Sequence, residues 1–560
     1  MTDNQDVSRL EKYMEEYWEY VLKHNPTFAT YTGDHRYDDK IEDCSEREVQ
    51  AQNAFVRDMS GRADNIDPGA LSAEDRLNLD LFKRTLSFSL KLSEFNTHLA
   101  PLDHMSGPHI DFPQITAFHP FGTEKDFENY VSRLHAFPVQ IDQVIENMKR
   151  GVSENYTSFF EVIAHVEAQL KTFAELDVEN HPLNAPLITM DESIPEEARD
   201  RIKKSVSEAI GVSVTPAYKK LYEFIRKEYA GHCRKDEGLW SLPRGQEMYR
   251  YYTRYHTTTD MTPEEIHEIG LSEVSRISIE IKGILEKLGF SGDIAEFAEA
   301  VKERKELFPE SGEEIMKMYR EILAKMDQRL PEYFGRLPKA EYDIKQIEEY
   351  REQAAPAAYY YPPPRNFSRP GYFYANTYNP SVRPKFVMEA LAYHEAVPGH
   401  HLQIAIMQEL EHLPEFRRHE GSTAFIEGWA LYAEKLADEM GCYSDDYSRY
   451  GRMTFELWRA VRLVIDTGIH YFKWSREKSI QYCRDNTDLD DHEIMTEVDR
   501  YIAMPGQALA YKIGELKILE LRGEMEKVQG RDFRLKDFHD RLLEHGALPL
   551  DILQGIILNR

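Results

Sequence analysis

Cysteine is scarce: Cys44, Cys233, Cys442 and Cys483 are the only four in 560 residues, and they form neither a CxxC pair nor a dense framework. That argues against a disulfide-stapled fold and for inert free thiols in a reducing compartment. Long apolar runs are missing too. Glu, Lys or Arg interrupts every apolar candidate within a few turns, well short of the ~18 residues a spanning helix needs, so no membrane span is expected. The N-terminal MTDNQDVSRLEKYMEEYWEY carries acids where an export signal needs a basic region and then an apolar stretch. It reads as an amphipathic helix of a cytoplasmic protein. Positive charge is in deficit as well: 69 Lys and Arg against 98 Asp and Glu leave a net −29, which works against binding a phosphate backbone or an anionic membrane. Nucleic acid is therefore not an expected partner. No repeat of fixed period and no low-complexity tract occurs.

What the chain does have is 41% hydrophobic residues and 12% aromatics, with its acidity spread along the whole length. That is the composition of a globular protein. Most long segments carry helical periodicity: from Pro263 to Leu288, Ile266, Ile269, Val274, Ile277, Ile281 and Leu285 recur at three- to five-residue steps. Thr262-Pro263-Glu264-Glu265 supplies the cap, proline and acidic first turn of a helix start, while Asp67-Pro68-Gly69 and Ser106-Gly107-Pro108 read as turns. The fold class expected is mainly α, a large body of helices joined by punctuated loops. One stretch departs from this pattern. Residues 354–384, AAPAAYYYPPPRNFSRPGYFYANTYNPSVRP, are crowded with Pro and Tyr, which predicts extended backbone and a small β element. The chain is read as one large domain, residues 1–560, with a helical N-terminal region at 1–240 and a chemistry-bearing region at 241–560.

Directly after the Pro/Tyr segment comes FVMEALAYHEAVPGHHLQ, an apolar helix carrying His394, Glu395, His400 and His401. In a regular HExxH helix the two histidines lie one turn apart, about 6 Å of rise, so both imidazoles reach one zinc while the intervening Glu activates its water. Here His394 and His400 are six residues apart, which on an unbroken helix means about 9 Å of rise and nearly opposite faces. The helix must therefore be irregular. Pro398 cannot donate to the helical ladder and Gly399 relaxes the backbone, so a bulge looping out two residues would place His400 as the second ligand. His401 is in phase but about 10.5 Å along the axis, which suits a supporting or substrate-binding role. A third ligand is expected from the next apolar helix, STAFIEGWALYAEK, where Glu427 is read as the metal ligand and Glu434 as its neighbouring support. The bland alternative for Glu427 is a buried pair with a base such as Arg462.

With YHEAVPGHHLQ at 393–403, AFIEGWALYAE at 424–434, DTGIH at 466–470, RYIAMPGQALAYKIG at 500–514, and GDHRYD and LWSLPRGQEMY upstream, the chain resembles the bacterial domain of unknown function 885. That family groups with the gluzincin metallopeptidases. The resemblance implies a mostly helical peptidase-like fold with a zinc cleft, similar in plan to thimet oligopeptidase and angiotensin-converting enzyme, in which the Pro/Tyr segment forms a small substrate-side sheet.

The function expected is an intracellular zinc-dependent peptidase acting on short peptides, exo- or oligopeptidase in type. Glu395 would take a proton from the attacking water and return it to the leaving nitrogen. Tyr511 and His470 are the candidate donors to the oxyanion. Arg500, Gln507 and Lys512 are candidates to hold a peptide backbone or terminal carboxylate, and Tyr374 and Asn376, if on an edge strand, to align substrate by strand addition. Tyr359-Tyr360-Tyr361-Pro362 is read either as substrate contact or as a rigid surface loop. An amidohydrolase acting on a nonpeptide amide would use the same chemistry, and a non-catalytic peptide-binding protein would have no need of Glu395.

Overall fold

Helix starts along this chain are written in side-chain hydrogen bonds. Thr123 and Thr262 each accept from the backbone N–H three residues on, and the residue at that position, Asp126 or Glu265, reaches back to the cap. These reciprocal bonds satisfy donors that every helix start leaves open. The computed structural model describes residues 3–347, 352, 355–367 and 369–558. It is mainly helical, with three short strands among the described residues. None of these helices is long and apolar enough to cross a membrane.

Contacts divide the chain into two units. The first comprises 1–237, 241–244 and 414–416. Its helices include α1 (Asp3–His24), α2 (Glu124–Ser153), α3 (Phe160–Glu175) and α4 (Thr215–Phe224). Apolar faces of α2, α3 and α4 meet in a core containing Tyr130, Phe137, Ile141, Val166, Leu170 and Tyr218. Buried in the same unit, Arg133 donates to the carbonyls of Lys40 and Pro26 at 2.8 and 3.0 Å and to Thr30 at 2.6 Å. Thr30 in turn donates to Asp38 at 2.6 Å, so the GDHRYD motif locks a loop to a helix.

The second unit comprises 238–240, 245–413 and 417–560. Two long helices, α5 (Pro263–Lys287) and α6 (Gly312–Tyr333), precede the sheet. Strands β1 (Tyr342–Gln346), β2 (Ala358–Tyr361) and β3 (Gly371–Ala375) lie in the order β1-β3-β2. β3 is parallel to β1 and antiparallel to β2, with Tyr359 opposite Tyr374 and Tyr360 opposite Phe373. The Pro/Tyr stretch thus supplies β2 and β3, while β1 comes from upstream; Ala354 and Ser368 lie outside the described residues. After the sheet come α7 (Met388–Glu395), α8 (His400–Gln408), α9 (Thr423–Glu439), α10 (Asp446–His470), α11 (Asp491–Ala503) and α12 (Ala510–Gln529). α10 packs along α5 and is buried almost throughout from Tyr450 to His470.

Two glycines decide how α9 and α12 meet. A Cβ on Gly428 would fall inside the backbone of Gly514, and one on Gly514 would collide with the carbonyl of Ala424. Only glycine at both positions permits this backbone approach, which sets Glu427 on one helix beside Tyr511 on the other.

Candidate metal centre

The helix carrying His394 ends at Glu395, and a new one starts at His400. Between them, residues 396–399 form a loop rather than the expected two-residue bulge: Ala396 leaves helical backbone at φ −102° and ψ −103°, and the His401 N–H donates to the Ala396 carbonyl at 3.0 Å. Pro398 has no N–H to offer the ladder. A side chain on Gly399 would strike the carbonyl oxygens of Tyr393 and His394, so the loop folds back on the helix it leaves only because that residue is glycine. Trp429 pins it from α9, donating its indole N–H to the Pro398 carbonyl at 2.9 Å.

This break brings the two imidazoles together, with ring centroids 4.8 Å apart and planes nearly perpendicular. Nε2 of His394 lies 3.8 Å and Nε2 of His400 lies 3.6 Å from the same Glu427 oxygen. One donor atom from each of the three residues falls within 4.8 Å of the others. A tetrahedral ion with bonds of roughly 2.0–2.1 Å sets its donors roughly 3.3 Å apart, so the two histidine approaches to Glu427 already lie within about half an ångström of that spacing. The donor set of two imidazoles and one carboxylate suits a divalent ion of zinc type.

Support lies immediately behind. Nδ1 of His394 donates to Glu434 at 2.8 Å, with both side chains almost fully buried. This orients the ring with Nε2 toward Glu427, where it can ligate once an ion displaces its proton. Burial alone would press the His394 pKa down, but Glu427 and Glu434 outweigh it and hold it up at about 9. Burial would raise Glu427, yet hydrogen bonds from and charges on the two histidines keep it well below the usual carboxylate range. Burial raises the neighbouring Glu395, against the pull of His394 and His400 and of a hydrogen bond from the backbone N–H of Tyr360. β2 therefore touches the residue expected to move protons, a contact the sequence shows only as a tyrosine-rich strand.

Tyr511 reaches the same place. Burial raises its phenol pKa and the Glu427 charge raises it further. Its oxygen accepts from Gln507 at 3.3 Å, and the Arg462 guanidinium lies over its ring at 4.6 Å.

Other expected site residues are committed elsewhere. His470 accepts the Leu239 N–H at Nδ1, 3.1 Å, and donates from Nε2 to the Tyr501 carbonyl, 2.9 Å; with both nitrogens used it ties backbones together and has no donor left for an oxyanion. His401 is likewise filled, accepting from the Tyr360 hydroxyl at 2.9 Å and donating to the Ala340 carbonyl at 3.1 Å, so it braces the sheet instead of meeting substrate. Asn376 spends its amide on the carbonyls of Glu352, Ala355 and Pro356 and its oxygen on the Tyr378 N–H, which makes it a loop clasp. Tyr374 sits on the central strand β3, both of whose edges are paired, and stacks on Tyr359 at 4.9 Å; strand addition there is impossible.

Arg500 donates to Glu497 at 3.2 Å and to the Gln507 oxygen at 2.8 Å. Arg500 and Gln507 thus form a chain that positions Tyr511 and leaves Arg500 little to offer a substrate. Lys512 is fully buried against Glu456, Glu515 and Glu273 at 2.7, 2.6 and 3.1 Å, a structural cluster. Arg462 pairs with Glu497 at 3.3 Å and not with Glu427. A cavity of about 710 Å³ opens between α6 and β1, lined by Met316, Arg320, Ile344 and Lys345 among others, and no residue of the metal cluster lines it. The cleft expected over the histidines is not this cavity.

Among solved structures, the chain is similar over its full length to 98% of a candidate lipoprotein from Colwellia psychrerythraea, at 28% identity and a TM-score of 0.92. A candidate lipoprotein of unknown function from Shewanella oneidensis shares the fold, with 17% identity, a TM-score of 0.73, and coverage of 98% of this chain and 100% of that one. No protein with a curated description matches. The model for a bacterial protein family of unknown function (DUF885) matches residues 26–557, nearly the whole length that carries the histidine loop and Glu427, and the chain belongs to that family.

Proposed function

We propose that this protein is a zinc-dependent hydrolase of gluzincin type that cleaves peptide bonds of short peptides. The observation that carries the reading is the convergence of His394, His400 and Glu427 donor atoms within 4.8 Å, next to a raised carboxyl at Glu395. A bound zinc ion supplies Lewis acidity, which makes a water more acidic and polarises a carbonyl.

The remaining work falls to side chains of this chain. Glu434 holds the His394 ring in its ligating tautomer. Glu395, oriented by the Tyr360 N–H, accepts the proton of the attacking water and delivers it to the departing amine; its raised pKa brings it nearer the value that suits both tasks at neutral pH. Tyr511 presents a phenol near Glu427, where its O–H can donate to the carbonyl oxygen as negative charge builds there. The Arg500–Gln507 chain keeps that phenol in place. Glu395 also weighs against a purely binding role, because binding needs no group that shuttles protons.

Glu395→Gln is the test. Turnover of a broad mixture of short peptides should fall by about 10²–10⁴-fold with metal content unchanged. Retained turnover, or a metal-loaded wild type that cleaves no member of the mixture, would sink the proposal.

A further inference from the structure

Helix α10 carries a polar stripe through an otherwise apolar interior: Arg452, Glu456, Arg459, Arg462, Asp466 and His470, at three- and four-residue steps. Four of these six have their charges or ring nitrogens matched, although Nε of Arg452 makes no hydrogen bond among the described residues and relies on two carboxylates, Glu456 and Asp438, within 4 Å. Arg452 pairs with Glu456 at 2.8 Å, which also receives Lys512. Asp466 accepts from Tyr249 and Gly506, and His470 from Leu239. Arg459 and Arg462 are different.

Both side chains are about 95% buried. Nε of Arg459 and Nη1 of Arg462 each lack a hydrogen-bond partner among the described residues. The contacts Arg459 does make are weak: a long bond to the Phe455 carbonyl at 3.3 Å, and an approach of 3.7 Å to a Glu434 oxygen already held by His394. Arg462 donates Nε to the Tyr501 hydroxyl at 3.2 Å and shares Glu497 with Arg500. Three guanidinium groups thus have two carboxylates within 4 Å, Glu434 and Glu497. A buried charge left short of counter-charge and an unmade N–H bond are each unfavourable. Aromatic rings hold the forks in place: Arg459 lies over Phe455 and Trp458, and Arg462 lies between Trp458 at 4.3 Å and Tyr511 at 4.6 Å. Their position matters most, since Arg459 is one residue removed from the ligand His394 through Glu434, and Arg462 covers the ring of Tyr511.

We infer that Arg459 and Arg462 form an anion subsite beside the metal centre that takes the free C-terminal carboxylate of a peptide substrate. Two rigid planar donors suit a planar carboxylate. This deepens the proposed hydrolase by naming its substrate class: peptides whose scissile bond lies close to a free carboxyl end. It also moves to α10 the carboxylate-holding role that the sequence suggests for Arg500, Gln507 and Lys512.

The test uses the full-length, metal-loaded protein and a library of N-acetyl tripeptides, each prepared as the free acid and as the C-terminal amide. Binding is read by affinity mass spectrometry with Glu395→Gln, and cleavage with the active chain. Free acids should be retained and cleaved at least about 10-fold better than their amides, the equivalent of one charge-assisted contact. Arg462→Gln should remove that preference through KM, the free acids losing at least about 10-fold more than their amides, and Arg462→Lys should restore part of it. Arg459→Gln gives an independent reading if Arg462→Gln does not fold. Cleavage without preference for free acids overturns this inference and leaves the hydrolase standing. Retention of free acids without cleavage supports the subsite and overturns the hydrolase. Neither retention nor cleavage overturns both.

Discussion

Glu434→Gln isolates the support behind the proposed metal ligands. In the protein, Nδ1 of His394 donates to a Glu434 oxygen at 2.8 Å, with side-chain exposures of 4% and 1%. The substitution keeps the shape and an accepting oxygen but removes the charge. Groups that orient a ligating histidine in this way contribute about 10–100-fold to metal affinity, or about 1.4–2.7 kcal/mol. Glu434→Gln should therefore weaken zinc binding by that factor. Glu434→Ala should weaken it more, because the buried Nδ1–H then loses its acceptor as well, at a further cost of about 1–3 kcal/mol. Competition against a chelator of known affinity measures both, and a melt of each metal-free variant separates the loss of affinity from loss of fold. The melt matters because Arg459 sits 3.7 Å from the same carboxylate, its one acidic neighbour within 4 Å among the described residues, and loses that charge. Unchanged affinity in Glu434→Gln would refute the reasoning, as would a loss equal to that of His394→Ala, since Glu434 would then be a ligand itself.

Three other outcomes are expected. Gly428→Ala should destabilise the fold by about 1–3 kcal/mol, read as a lowered denaturant midpoint, because its Cβ has no room against Gly514; an unchanged midpoint would mean α9 and α12 are not held at this spacing. His401→Ala should cost about 2–4 kcal/mol through two lost hydrogen bonds and a cavity, yet leave metal content intact, and loss of metal would make His401 a ligand. Burial raises the Asp466 pKa from 3.8 to about 7 against the hydrogen bonds from Tyr249 and Gly506. The folded state therefore holds that proton more tightly than the unfolded chain. Its contribution is complete below the unfolded value and disappears as pH rises through about 7. Asp466→Asn lacks this titration, so unfolding titrations should show the variant gaining on wild type between about pH 4 and pH 7; parallel profiles would contradict the shift.

Much of the architecture was legible because it is local. Caps such as Thr262, the apolar periodicity of α5, and the Pro/Tyr composition that yields β2 and β3 each act within a few residues. Glu427 was legible because an acid inside an apolar helix demands a partner. The failures share one cause, which is that a side chain's commitments are made in three dimensions. Nothing in DTGIH says that Leu239 and Tyr501 will occupy both nitrogens of His470, and nothing in YYYPPP says that the Tyr360 N–H will meet Glu395. Tyr374 was misjudged because strand order is a long-range property: β1, from outside the Pro/Tyr stretch, covers the edge that Tyr374 would otherwise offer. The sequence offers Arg462 only as an alternative partner for Glu427, and nothing local singles out Arg459. A three- and four-residue polar stripe running through an apolar segment was the available signal.

Metal stoichiometry tests the central claim most directly. Elemental analysis of the purified chain, loaded with zinc and dialysed, should return one ion per molecule. His394→Ala, His400→Ala and Glu427→Ala should each abolish it. An ion-free wild type, or ions retained by all three variants, would contradict the assignment of this histidine–glutamate cluster as a metal centre.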